Sequence, residues 1–179
     1  MELVIKRKNC FFEGISSMLR KKGDNVVYEE EKVYGGRLTG DVKTEFTRML
    51  EDVDAKSHTL IITDPYFLSC NTPDIIDFFL STIIGIAPKE ICVLCPQKNI
   101  CPSTLHFFTS ILKDKGICLI QRNCSAFHDR FWIIKESGRG FILGTSLNGI
   151  LGKRIFYVNA IDDADVSDIF AFLTSENLI

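Results

Sequence analysis

Between residues 59 and 121 the chain alternates short apolar runs with stretches of helical length, and few folds accept that alternation. Thr59-Leu60-Ile61-Ile62-Thr63 is a continuous apolar run, the pattern of a strand buried on both faces. It closes on Asp64-Pro65-Tyr66, a strand-end turn. Pro73 to Ile86 reads as a helix with proline in its first turn. Glu90 to Leu94 reads as a second buried strand, Pro102 to Lys115 as a second helix stopped by Gly116, and Ile117 to Gln121 as a third strand. Strand–helix–strand–helix–strand at these lengths calls for a parallel sheet with right-handed crossovers.

The flanks read differently. Phe131 to Lys135 and Gly140 to Gly144 are strands joined by the tight turn Glu136-Ser137-Gly138-Arg139, which predicts a hairpin. Ile155 to Ala160 is a further strand, and Asp163 to Leu173 a closing helix with acidic residues at its start, where the dipole favours them. Upstream, Asp41 to Asp52 places Val42, Phe46, Met49 and Leu50 on one helix side. Cys10 to Lys22 carries Phe11, Phe12, Ile15, Met18 and Leu19 at helical intervals, residues 1–8 suggest a short strand, and residues 24–38 read as irregular or hairpin-like. The expected architecture is α/β, an α-β-α sandwich with a mixed, largely parallel sheet. A chain of 179 residues accommodates one such domain, with residues 1–56 its least recognisable part.

Composition narrows the function classes. A formal net charge of −2 excludes a strongly basic protein, so nucleic-acid binding would have to use a local patch. The longest apolar run, Ile75 to Ile86, is a dozen residues interrupted by Asp77 and Ser81, too short and polar to span a bilayer. Met1 to Lys8 lacks the apolar core of a secretory leader. The expectation is a cytoplasmic protein without a membrane partner. The seven cysteines are an odd number and scattered: Cys10, Cys70, Cys92, Cys95, Cys101, Cys118 and Cys124. Cys92-x-x-Cys95 with Cys101 nearby raises zinc, but three residues along a strand put the pair on opposite faces, and no second pair follows at finger spacing. Buried thiols are expected, with no metal and no cofactor.

The chemistry concentrates in Phe127-His128-Asp129-Arg130-Phe131-Trp132-Ile133-Ile134 and, ten residues on, Gly144-Thr145-Ser146-Leu147-Asn148-Gly149. In a strand, residues i and i+2 share a face, so His128 and Arg130 should project together while Asp129 points away. A histidine beside a fixed cation is poorly placed for a metal and well placed for a phosphate. The hairpin should also bring Thr145, Ser146 and Asn148 beside the His128 end, because antiparallel partners run tail beside head. Asp64 and Tyr66, at the carboxyl end of a central parallel strand, lie where open α/β sheets place ligand crevices; plain turn chemistry accounts for them equally well. Lys153 and Arg154 offer a local basic rim for a polyanion. Arg122 and Arg139 read as ordinary solvated charges, as does the run Glu29-Glu30-Glu31.

These segments resemble the phospholipase D-like superfamily, whose signature is His-x-Lys, four residues, Asp, and then Gly-Ser-x-Asn. The flavour is that of a prokaryotic branch written His-Asp-Arg-Phe, here His128-Asp129-Arg130-Phe131, with Thr63-Asp64-Pro65-Tyr66 resembling its strand-end turn. The similarity runs from about residue 58 to 162 and includes one motif copy. The resemblance implies a metal-independent phosphodiesterase, most naturally a nuclease on DNA or RNA, working as a homodimer that shares one site. His128 of one copy would form a phosphohistidine and His128 of the other protonate the leaving oxygen, with Arg130 on the phosphate and Ser146 and Asn148 completing the shell. It further implies a role in defence against foreign nucleic acid, and a protein this short is expected to work beside a larger protein partner.

This sequence departs from the pattern at three points. The usual lysine is Arg130, which keeps charge and gains a bidentate fork. The usual aspartate falls at Lys135, with Glu136 next door as the candidate substitute. The Gly-Ser-x-Asn run is stretched to Gly144-Thr145-Ser146-Leu147-Asn148. The alternative reading is therefore a catalytically silent module that binds phosphate-bearing ligands or serves as an assembly subunit.

Overall fold

The computed structural model describes residues 32–35, 39–69, 71–151 and 155–179. Among the described residues seven strands form one mixed sheet in the order β1-β7-β6-β5-β2-β3-β4. They are β1 (Lys32–Gly35), β2 (Thr59–Thr63), β3 (Glu90–Cys95), β4 (Cys118–Asn123), β5 (Arg130–Ile134), β6 (Arg139–Leu143) and β7 (Ile155–Ala160). The α-helices among the described residues are α1 (Thr39–Asp52), α2 (Pro73–Ile86), α3 (Pro102–Asp114), α4 (Leu147–Ile150) and α5 (Asp163–Ser175).

The alternation read from the sequence produces the parallel half. β2 pairs parallel with β3, and β3 with β4. Parallel neighbours need a crossover, and α2 and α3 supply the two. The other half is antiparallel: β5 lies against β2, β6 against β5, β7 against β6, and β1 against β7. Every residue of β2 is buried, as a strand between β5 and β3 with helices on both faces must be.

The two faces are unequal. One carries the main core, where Phe46 and Leu50 of α1, Phe79 and Ile83 of α2, Phe108 of α3 and Leu147 of α4 meet Leu60, Ile62 and Val93 of the sheet. At its centre Trp132, fully buried, stacks on Phe141 at 5.9 Å and takes the edges of Phe46 and Phe67. Truncating a ring so enclosed costs about 3–5 kcal/mol. The other face is covered by α5, where Leu173 packs with Ile61, Cys92 and Leu94. Asp162 starts that helix by accepting the amide of Asp165 at 2.9 Å. Among the described residues the sandwich is therefore α-β-α, with a thick layer and a thin one.

Residues 24–38 were expected to be irregular or to fold on themselves. Residues 24–31 and 36–38 lie outside the described residues; Lys32–Gly35 form a strand paired with β7, far along the chain, and nothing local could announce that pairing. The expected helix over 10–22 and strand over 1–8 lie outside the described residues, as do Cys10 and Cys70. Cys92 and Cys95 do face opposite ways, Cys92 into the thin layer and Cys95 into the main core. Burial pushes both thiols up to about 11, so they sit as apolar fillers. No helix among the described residues is long and apolar enough to cross a membrane.

Candidate active site

The ends of β2, β5 and β6 that carry the sequence motif come together because β5 runs antiparallel to both neighbours. Thr63, last in β2, stands opposite Phe131, and Arg130, first in β5, opposite Leu143, last in β6. The segments after β2 and β6 and before β5 therefore meet at one edge of the sandwich.

Two buried polar side chains hold that edge. Thr63 is fully buried, and its hydroxyl donates to the Asp129 carbonyl at 3.1 Å while accepting the Phe131 amide at 2.9 Å. One hydroxyl thus fixes the backbone on both sides of Arg130. Nothing local in the sequence marks this role, although a threonine closing an otherwise aliphatic run has to find a partner once buried. Asp64 is 1% exposed, with one carboxylate oxygen accepting the Tyr66 amide at 2.9 Å and the other the Leu147 amide at 3.0 Å. It clamps the turn after β2 to the turn after β6. Burial raises its carboxyl above the usual range, opposed by the two amides and by the charge of Arg130. Of the two readings of Asp64, ligand crevice and turn chemistry, the turn is what its hydrogen bonds serve, with both oxygens engaged inside the fold.

Above the clamp lie the side chains that meet solvent. His128 is 97% exposed, with Nδ1 3.7 Å from the Asp129 carboxylate. Asp129 was expected to point away from it. The alternation behind that expectation operates only within a strand, and β5 begins at Arg130. Arg130 is half-buried, and its Nε is enclosed without a hydrogen-bond partner among the described residues. In the second turn Ser146 is buried and donates its hydroxyl to the Asn148 side-chain oxygen. Asn148 is exposed, and with its oxygen taken its amide donors are what remain to meet an anion. Thr145 is half-buried against Gly149, where a Cβ would lie 1.9 Å from the threonine hydroxyl. That close approach explains glycine there.

Not every candidate joins the group. Glu136 sits past the far end of β5, where its carboxylate accepts both the amide of Thr59 at 2.8 Å and its hydroxyl at 3.0 Å. Burial opposes its ionisation, but these bonds win and hold the carboxyl below its usual value. The length of β5 separates it from His128, so Glu136 does not supply a carboxylate to this edge. Lys135 and Arg139 share that far end. Arg122 stands exposed at the near end of β4. Lys153 and Arg154 lie outside the described residues.

No protein-family model matches the chain, and no curated protein matches it in sequence. Solved structures give low-identity likenesses. The phospholipase D family member Nuc from Salmonella typhimurium is 14% identical at a TM-score of 0.48, over 82% of this chain and 93% of that one. TrmBL2, an archaeal chromatin protein with a novel mode of DNA binding, is 15% identical at 0.44, over 98% of this chain and 62% of its own. Polyphosphate kinase from Porphyromonas gingivalis is 17% identical at 0.47, over 89% of this chain and 24% of its own. The chain spans less than two thirds of the length of the latter two.

Proposed function

We propose that this protein is a phospholipase D-like, metal-independent phosphodiesterase that cleaves DNA or RNA. The observation that carries the reading is a fully exposed His128 at the mouth of β5, two residues before Arg130, with the Asn148 amide held at the same edge through Asp64 and Leu147. A histidine with no packing role, at the edge that also carries Arg130 and an outward amide, suits attack on an esterified phosphate. Asp129 beside Nδ1 leaves Nε2 as the attacking atom.

In the proposed reaction Nε2 of His128 forms a bond to phosphorus and the phosphorus–oxygen bond to the leaving group breaks. That oxygen takes its proton from the His128 of a second copy. Water then attacks phosphorus, the phosphorus–nitrogen bond breaks, and the second imidazole accepts the water's proton. Arg130 from each copy holds the non-bridging oxygens. A single motif copy per chain is the reason for placing the site in a homodimer. The biological setting we propose is defence against foreign nucleic acid beside a larger protein partner. Phage plating on cells carrying wild type or His128→Ala would refute that setting if the two were equal.

A second reading is a binding module without turnover. Lys135 in place of the motif's aspartate, and Glu136 committed to Thr59, favour it. A nuclease assay in EDTA on wild type and His128→Ala separates the two. Activity lost in the variant supports the enzyme, whereas binding without cleavage by wild type on any DNA or RNA form supports the module.

A further inference from the structure

The turn after β2 presents one aromatic ring outward. Tyr66 is 48% exposed, while Asp64, Phe67 and Leu68 around it are exposed by 1% or less. Its backbone is held at both polar atoms. The amide donates to Asp64 at 2.9 Å, and the carbonyl accepts the Ser69 amide at 3.1 Å and the Ser69 hydroxyl at 2.7 Å. The neighbouring Pro65 carbonyl accepts the side-chain amide of Asn99 at 2.8 Å. That bond fastens to the same turn the loop after β3, which carries exposed Lys98. A chain reversal needs no ring at Tyr66, and a ring on so fully bonded a turn loses little freedom when a flat ligand settles on it.

We infer that the ligand of this edge is single-stranded nucleic acid, with one base stacked on Tyr66 and the flanking phosphates at Arg130 and Lys98. This rests on the phosphate-binding part of the function proposed above and adds the form of the polymer. Base faces are open to stacking in single strands and closed in a duplex. Duplex affinity is dominated by counterions released as many cations neutralise phosphates, and a chain of net charge −2 has no overall positive field to favour that. β5, β2 and β3 are successive neighbours in the sheet, so the segments that carry Arg130, Tyr66 and Lys98 leave the same edge side by side, from strands about 5 Å apart. An extended strand crossing the edge would meet cation, ring and cation in turn.

The test uses the full chain with His128→Asn, so that the strand stays intact, and reads the anisotropy of labelled oligonucleotides. Four probes are compared: a short single strand, its duplex, an abasic strand of equal length, and a mononucleotide. The single strand is expected to bind at least about tenfold more tightly than the other three, and Tyr66→Ala to weaken it by about 5- to 100-fold, the range of one base–aromatic stack. Tyr66→Phe should restore binding, which separates loss of the ring from damage to the turn. Equal affinity for duplex and single strand, indifference to Tyr66→Ala, or a mononucleotide bound as tightly as the strand would each overturn the inference. Wild-type hydrolysis of bis(p-nitrophenyl) phosphate, lost in His128→Ala, tests the parent reading separately. Hydrolysis without single-strand preference sinks only the inference, and Tyr66-dependent binding without hydrolysis sinks only the catalytic reading.

Discussion

The two ends of β5 use the same device to different purposes. At each end a carboxylate accepts hydrogen bonds that a neighbouring segment would otherwise leave unmade: Glu136 from Thr59, and Asp64 from Tyr66 and Leu147. At the Glu136 end the polar groups satisfy one another, and Ser137 adds a bond to the Val53 carbonyl at 2.9 Å. At the Asp64 end the carboxylate is sunk beneath the surface, and His128, Tyr66 and Asn148 are left facing solvent. At one end the polar groups bond to one another; at the other the carboxylate bonds inward and its neighbours stay open to solvent. The difference distinguishes a closing turn from a site more reliably than charge does, since both ends carry cations.

Breaking the open end should show first in activity. His128→Ala is expected to lower phosphodiesterase turnover by at least about a thousandfold, as removal of a nucleophile does, while thermal stability moves by less than about 0.5 kcal/mol because the side chain packs against nothing. A wild-type rate equal to the variant's would remove the contrast between the ends. Asp64→Ala strikes the clamp and leaves two amides without their acceptor, for an expected loss of about 2–4 kcal/mol in urea unfolding. A loss under about 0.5 kcal/mol would mean that water replaces the carboxylate and the edge is not clamped. Thr63→Val, close in shape, should cost about 1–2 kcal/mol and lower phosphate affinity by loosening the backbone around Arg130.

The smallest effect belongs to the closed end. Glu136 ionises more readily folded than unfolded, so its contribution to stability is present above its ordinary value of 4.5 and is lost as pH falls through the lower folded value. Glu136→Gln should abolish that acid-side loss and leave activity near pH 7 unchanged. Unchanged acid sensitivity in the variant would show that the Thr59 bonds do not couple to folding.

Several elements were readable without the fold because their cause is local. Thr59–Thr63, Pro73–Ile86 and Ile155–Ala160 fall where the apolar runs and the helix-starting proline place them. β4 extends to Asn123, beyond the apolar stretch that announced it, because its ladder with β3 continues to Cys95. The four-residue α4 carries no periodic signal of its own and forms where Leu147 and Ile150 drop into the main core. At the candidate edge, the juxtaposition of the segment before β5 with the turn after β6 was readable, since a hairpin's register follows from its turn. The division of labour was not. Asp64 and His128 are both polar residues at strand ends, and only burial tells that one faces inward and the other outward.

By itself, then, the sequence determined where strands and helices form and that His128, Arg130, Ser146 and Asn148 are carried to one edge, because periodicity and turn chemistry act over a few residues. Only the tertiary structure decided that β1 pairs with β7, that Thr63 and Asp64 build the edge, and that Glu136 serves the other end. Those outcomes depend on which distant backbone groups lose water together, and partners far apart along the chain leave no mark on local pattern.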